Sequence, residues 1–266
     1  MEKEKDMEKE SHKFFSILFI FLFYTPLLSA ALESKKKLLF YFDRIEVKGN
    51  VDIFLTEGRR PYECTIYADS EIIGSVQTRV SQKTLFIDAN NTFNLARRLP
   101  FIRLNAERKF PVEIIISIGK LQEIRLLEKS NLSAQMIEAE KLSLFMASSG
   151  KLHIEKLISN KVFLNHQGQG NIILKGDVNE LDATISENGS LIAEDLKLKR
   201  AFLTHKGSGL VHLRPDDWLD ARMLSQGDLF LYKSPKSMVV DKKGTGKVSD
   251  ILPGSKPILD FNKSKN

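Results

Sequence analysis

A chain of 266 residues, 42% hydrophobic and 28% charged, can hold one or two domains with a sizeable core, and with only 8 Pro it is not built for broad disorder. Its formal charge of +6 is spread along the chain and no nucleic-acid-binding motif is present, so nucleic acid is excluded as an expected partner. A single cysteine, Cys64, excludes an intramolecular disulfide; in the alternating stretch YECTIYA it is expected to face the core as a small hydrophobe.

The first element in chain order is the long apolar run at residues 14–31, FFSILFIFLFYTPLLSAA. It follows a charged stretch and ends in Ser29, Ala30 and Ala31, the order of a secretory signal. The charged stretch carries five acids against four Lys, and a start at Met7 would leave a more positive end. The run is also long enough to span a bilayer as an uncleaved anchor. Pro26 and the small residues favour cleavage near Ser29–Ala31. Either way the chain is expected to be exported, to the periplasm, the outer surface or the medium. Membrane contact is expected only through residues 14–31, if they stay attached. Removing residues 1–31 takes away four Lys and five acids and leaves +7. A mildly basic chain suits an acidic surface, a glycan or an envelope protein, though a plain solvated surface carries the same charge.

Residues 42–118 are less regular. FDRIEVKGNVDIFLTEG places Ile45, Val47, Val51, Ile53 and Leu55 at strand spacing around Gly49. Strands are expected near residues 62–67, 76–80 and 84–88, and Val112–Ile118 reads as a buried strand. An insert at residues 91–110, NTFNLARRLPFIRLNAERKF, interleaves basic and apolar side chains. It would either contact a membrane or partner, or cap the core. Its Arg97, Arg98, Phe101, Arg103, Arg108 and Lys109 are the candidate partner-binding residues.

From residue 120 the chain repeats. Polar–Gly pairs end at Gly150, Gly170, Gly189, Gly209, Gly227 and Gly246, spaced by 18–20 residues, and Ser130-Asn131 is a degenerate earlier member. Two after each Gly stand Leu152, Ile172, Leu191, Val211, Leu229 and Val248; four after stand Ile154, Leu174, Ala193, Leu213 and Leu231, until Asp250 breaks the series. Eight before come Leu142, Val162, Leu181, Ala201, Leu219 and Met238; six before come Leu144, Leu164, Ala183, Leu203, Ala221 and Val240. These are period-two patterns on two short strands, with the Gly expected to turn the chain through positive φ. One unit cannot bury its own apolar face, but stacked units can. The expected fold is therefore all-β: a parallel β-helix-like solenoid of 18–20 residues per coil, rising about 4.8 Å each. A meander of hairpins explains the alternation but not the constant period. The last residues, PGSKPILDFNKSKN from Pro253, read as a loose tail.

FDRIEVKGNVDIFLTEG, then PVEIIISIGKLQEIRLLEKSNLSA, then the recurring polar–Gly–x–apolar turns resemble the head GIN domain family, which carries the label autotransporter adhesin. The resemblance covers residues 40–252 and implies a β-solenoid fold, with little activity to transfer. Residues 1–31 and 253–266 then flank one domain with its insert. The family's turns appear here as SSG, GQG, ENG, GSG, SQG and GTG. No set of barrel strands fits after residue 250, so the chain is not expected to be an autotransporter in itself.

Candidate chemistry is sparse. His166 and His205 stand four before their Gly, two coils apart, about 10 Å by strand spacing. That is too far to share a metal ion, so they are expected as structural edge residues. His153 and His212 fall three after Gly and are expected to be solvated. Acids at Asp177, Glu180, Asp182, Glu187, Glu194 and Asp195 cluster in sequence but do not recur at one offset. Arg214–Asp217 reads as a turn beside Trp218. No catalytic triad, phosphate loop or metal-ligand spacing is present, so no catalytic, cofactor or metal residue is assigned. The expected function is a non-catalytic exported binding or scaffold protein, adhesin-like at the envelope or surface. The alternatives are an envelope-stress or signalling accessory module, and a polysaccharide-active β-helix enzyme. The last needs its acids to converge on one face.

Overall fold

A computed structural model describes residues 32–58, 60–70, 72–90 and 112–251. The apolar run at 14–31, the insert at 91–110 and the tail from Pro253 lie outside the described residues, so the expectations placed on them stand as expectations.

The strands run β1 (Leu32–Leu38), β2 (Arg44–Lys48), β3 (Asp52–Thr56), β4 (Glu63–Asp69), β5 (Gln77–Ser81), β6 (Thr84–Asp88), β7 (Glu113–Ser117) and β8 (Glu123–Glu128). Then come β9 (Asn131–Ser148), β10 (Lys151–His166), β11 (Asn171–Ile185), β12 (Ser190–His205), β13 (Val211–Met223), β14 (Leu229–Leu231), β15 (Ser237–Lys242) and β16 (Val248–Asp250). The described chain is nearly all strand, wound as a β-solenoid.

Pairing from β8 onward is parallel, and the repeat offsets are its register. Leu142, Val162, Leu181, Ala201, Leu219 and Met238 lie opposite one another in succession across β9 to β15. So do Leu152, Ile172, Leu191, Val211, Leu229 and Val248, ending at β16. Most of these side chains are fully buried. Each coil thus hides its apolar row against the next, which no single coil could do.

Two expectations about the coil need correction. Each coil has three inward-facing sides, not two. Between the expected pairs lies a third set: Ile137, then Leu157 and Ser159, then Val178, then Leu196 and Leu198, then Pro215. Consecutive outward residues such as Glu155 and Lys156 mark a corner, and the register slips there between Ile154 and Leu157. Arg214–Asp217 is such a corner inside β13 rather than a separate turn.

The repeat glycines, in turn, do not serve positive φ. Only Gly49 and Gly176 have it among the described glycines. The repeat glycines are needed because backbone packs on backbone. A Cβ on Gly209 would overlap the carbonyl oxygen of Gly189 and stand 2.6 Å from its carbon. The same holds for Gly170 over Gly150 and Gly246 over Gly227. Coil-to-coil bonds tie this edge, including Gly170 N–H to Ser148 O at 3.0 Å and Gly189 N–H to Gly168 O at 3.1 Å.

The N-terminal half looks irregular because its order in space is not its order in sequence. The β2–β3 coil lies between β6–β7 on one side and β8–β9 on the other. Ile53 pairs with Ile114 and Leu132, and Leu55 with Ile116 and Ala134. Gly49 is therefore out of step: the rows two and four after the other glycines continue here at four and six. β6 ends and β7 begins beside the turn at which Gly49 leads β2 into β3. Val112–Ile118 is a largely buried strand as expected, with only Ile115 well exposed, at 37%. At the far N-terminal side β4 pairs antiparallel with β7, and β1 antiparallel with β4. Cys64 is buried there as expected, and burial pushes its thiol up to about 11.

Candidate binding groove

One coil lacks a strand on its third side. From β7 the chain crosses to β8 by the short link Ile118–Gln122 instead. That link and the third sides of β9, β10 and β11 line an open groove of about 1350 Å³. Its apolar surface includes Ile158, 36% exposed, and Phe163, 41% exposed. Outward positions on a strand are usually polar, so two large apolar side chains in one groove are the feature to explain. Around them stand Glu57, Glu138, Glu140 and Asp177, against Lys120 and Lys141. None of these four carboxylates pairs with a cation among the described residues.

The rim is set by side-chain ladders between coils. Asn179 Nδ2 donates to Asn160 Oδ1 at 2.8 Å. Glu180 takes Lys161 on one side and Arg200 Nη2 at 2.8 Å on the other. The hydrogen bond from Lys161, first, and then the two nearby charges hold the Glu180 carboxyl below its ordinary range. Lys161 Nζ also lies 4.7 Å from the centre of the Phe163 ring. The groove therefore offers apolar contact, amide groups and free carboxylates. That combination is chemically suited to polyhydroxylated or cationic groups, and among the described lining residues no nucleophile stands paired with a base.

The acids that sequence grouped do not converge. Asp177 is in the groove, Glu180 is ion-paired at the rim, Glu187 sits in a turn at φ 63°, and Glu194 lies on another side, near His212. The arrangement that a polysaccharide-cleaving site needs is not formed by this set. Asp216 and Asp217, next to half-buried Trp218, are engaged by Lys233 and Lys236. No group of three His, Cys, Asp or Glu side chains that could hold a metal ion occurs among the described residues.

The histidines also differ from expectation. His166 and His205 are not edge residues but buried ones, in the row Met146, His166, Ile185, His205, Met223. Each ring fills the space left by a missing Cβ one coil on, His166 under Gly189 and His205 under Gly227. His205 Nε2 is 2.8 Å from Gly209 O, whereas neither nitrogen of His166 has a partner among the described residues. Desolvation lowers His166 to about 4. His153 and His212 are only partly solvated. His153 Nε2 is 3.1 Å from Glu155. His212 stacks on Tyr232, with Nδ1 3.0 Å from its hydroxyl. Tyr232 also hydrogen-bonds Glu194, which pushes it up to about 12. This trio was legible only once residues three and five after Gly were aligned across coils.

Comparison with known proteins fits this architecture. The family described as "Putative auto-transporter adhesin, head GIN domain" matches residues 41–235. The chain belongs to the head GIN domain family. No curated protein matches it. A "putative adhesin" from Bacteroides fragilis NCTC 9343 superposes with a TM-score of 0.73 at 19% identity, covering 84% of this chain and 98% of that one. A "putative adhesin" from Parabacteroides merdae ATCC 43184 gives 0.63 at 17%, covering 84% and 97%. A "Putative lipid binding protein" from Parabacteroides distasonis ATCC 8503 gives 0.61 at 17%, covering 84% and 98%. At these identities the likeness is one of fold. The GIN solenoid thus spans nearly the whole of each relative, and the groove is built from this chain's own side chains.

Proposed function

We propose that this GIN-domain chain is a non-catalytic, exported binding or scaffold protein, adhesin-like at the cell envelope or surface. The observation that carries the reading is the groove: an in-register stack that leaves Ile158, Phe163 and four carboxylates without an ion pair among the described residues open to solvent. The adhesin names of the family and of the structural relatives agree with it. A second contact surface is proposed on sequence alone, the basic insert, with Arg97, Arg98, Phe101, Arg103, Arg108 and Lys109 meeting an acidic partner.

The two surfaces have opposite charge, so one experiment separates them. The immobilised chain is screened against a glycan array and an envelope extract, with E138Q/D177N and R97A/R98A/R103A in parallel. Loss of neutral or amino-sugar binding in the first variant supports the groove. Loss of acidic binding in the second supports the insert. Hits retained by both variants would remove both surfaces.

A further inference from the structure

The N-terminal end of the stack carries an amphipathic patch that the solenoid does not use. Among the described strands β1 pairs only with β4, and the four residues after Ser34 are Lys35, Lys36, Lys37 and Leu38. Leu38 is 74% exposed, Phe40 84% and Tyr41 51%. These are not loose ends of chain. Leu39 N–H donates to Tyr62 O at 2.8 Å, and Phe42 is fully buried. The Tyr41 and Phe42 rings both meet Tyr62 edge-on, at 5.6 and 5.2 Å. The backbone is thus pinned on both sides of Phe40, which holds Phe40 outward. Lys83 Nζ lies 5.9 Å from the Tyr41 ring, which adds a fourth cation to the same end.

Lysines on an edge strand prevent strand-to-strand aggregation, and Lys35–Lys37 serve that end as well. Edge protection does not call for a fixed, exposed Phe between a Leu and a Tyr. Aromatic side chains mixed with Lys are the composition of a membrane interface: rings sit at headgroup depth and ammonium groups meet phosphates. Acids within or beside the patch are Glu33, Glu63 and Asp43; Glu63 is already near Lys36 at 3.9 Å, and the buried Asp43 takes Arg44 Nε and the Tyr41 hydroxyl, each at 3.4 Å. The patch also begins at Leu32, the residue that follows the 18-residue apolar run 14–31 in sequence. A chain made or exported through a bilayer brings Leu32 close to it.

The geometry points to this end of the solenoid as a docking surface for an anionic phospholipid bilayer, with Leu38, Phe40 and Tyr41 entering the headgroup layer and Lys35, Lys36 and Lys83 on the phosphates. Docking here is independent of what the groove or the insert binds. It would stand the solenoid end-on to the membrane and turn its sides outward.

The test uses the full chain reconstituted in mixed phosphatidylglycerol–phosphatidylcholine vesicles. F40W is made in a W218F background, so that position 40 carries the only indole. Brominated lipids should quench the emission from position 40, which should also shift to the blue. Trp218 of the unaltered chain, in β13 toward the other end of the stack, should stay unquenched. K35A/K36A should weaken docking by about 25-fold, fivefold for each lysine. Thermal unfolding of each variant checks that the fold is kept. Water-like, unquenched emission from position 40 in anionic vesicles would overturn the proposal. So would equal quenching in pure phosphatidylcholine that K35A/K36A leaves unchanged, because tethering by residues 14–31 would then account for all of it.

Discussion

His166 gives the solenoid a built-in acid sensitivity. Its ring is fully buried and neither nitrogen has a partner among the described residues; burial holds it neutral, down to about 4 from an ordinary 6.5. Between those values the unfolded chain binds a proton that the folded chain does not. Acid therefore favours unfolding. Stability is unaffected above about 6.5, falls as the pH drops toward 4, and levels off below that. A difference of that size is worth about 3 kcal/mol in full and about 2 kcal/mol at pH 5. Replacement by Met tests it, because Met146 occupies the adjacent place in the same row and tucks under Gly170 as His166 tucks under Gly189. Urea unfolding followed by circular dichroism at pH 8 and pH 5 would compare the two chains. H166M should gain about 1 kcal/mol at pH 8 by removing an unpaired buried polar ring. It should also lose about 2 kcal/mol less than the original chain on going to pH 5. All other titrating groups are common to both and cancel in the difference. Equal losses in the two chains would refute the reasoning.

Other changes probe other links. G209A should lower stability by about 1–3 kcal/mol in thermal unfolding, because its Cβ meets the backbone of Gly189. G74A, whose Cβ would have nothing within 4 Å, should stay within about 0.5 kcal/mol. Cys64, buried with its thiol pushed up to about 11, should resist a thiol reagent at pH 8 in the folded chain and react at once in urea. E180Q should cost no more than about 1 kcal/mol, and the loss should shrink in high salt, since the carboxylate bridges Lys161 and partly exposed Arg200.

The register from residue 130 onward was legible because the places eight and six before and two and four after each Gly are apolar, from Leu142 to Met238 and from Leu152 to Val248, with Asp250 the one break. The third side was not. Ser159, Gly176 and Pro215 interrupt it, and the coil gains or loses residues at this corner, so no fixed offset survives. The order of the first coils was hidden for a different reason: placing β6 beside β2 is a long-range choice that local alternation cannot report. The buried histidines were misplaced because residue type suggests an exposed edge, while burial here follows from the space beneath a glycine one coil away. The groove depends on an omission, the missing strand between β7 and β8, and no residue pattern marks an omission. Its carboxylates were visible individually, but only Asp177 stood out as part of a sequence cluster.

The glycine corner connects these findings. Positive φ would have asked each coil for one flexible residue wherever its own turn happened to fall. Backbone-on-backbone contact asks more: the glycine of one coil must lie over that of the coil before, so the spacing itself is constrained. That is why the period reads so clearly in the chain. It also explains the row beneath, where Met146, His166 and His205 take up the room that Gly170, Gly189 and Gly227 leave. The polar partner of each pair points outward and can join its neighbour, as Ser208 does with Asn188. A corner fixed in this way frees the outward rows of the three sides from any structural duty beyond strand pairing. Phe163, Ile158 and the stacked His212 and Tyr232 stand on those free rows. Differences in binding between members of this fold should therefore concentrate there, while the corner stays glycine.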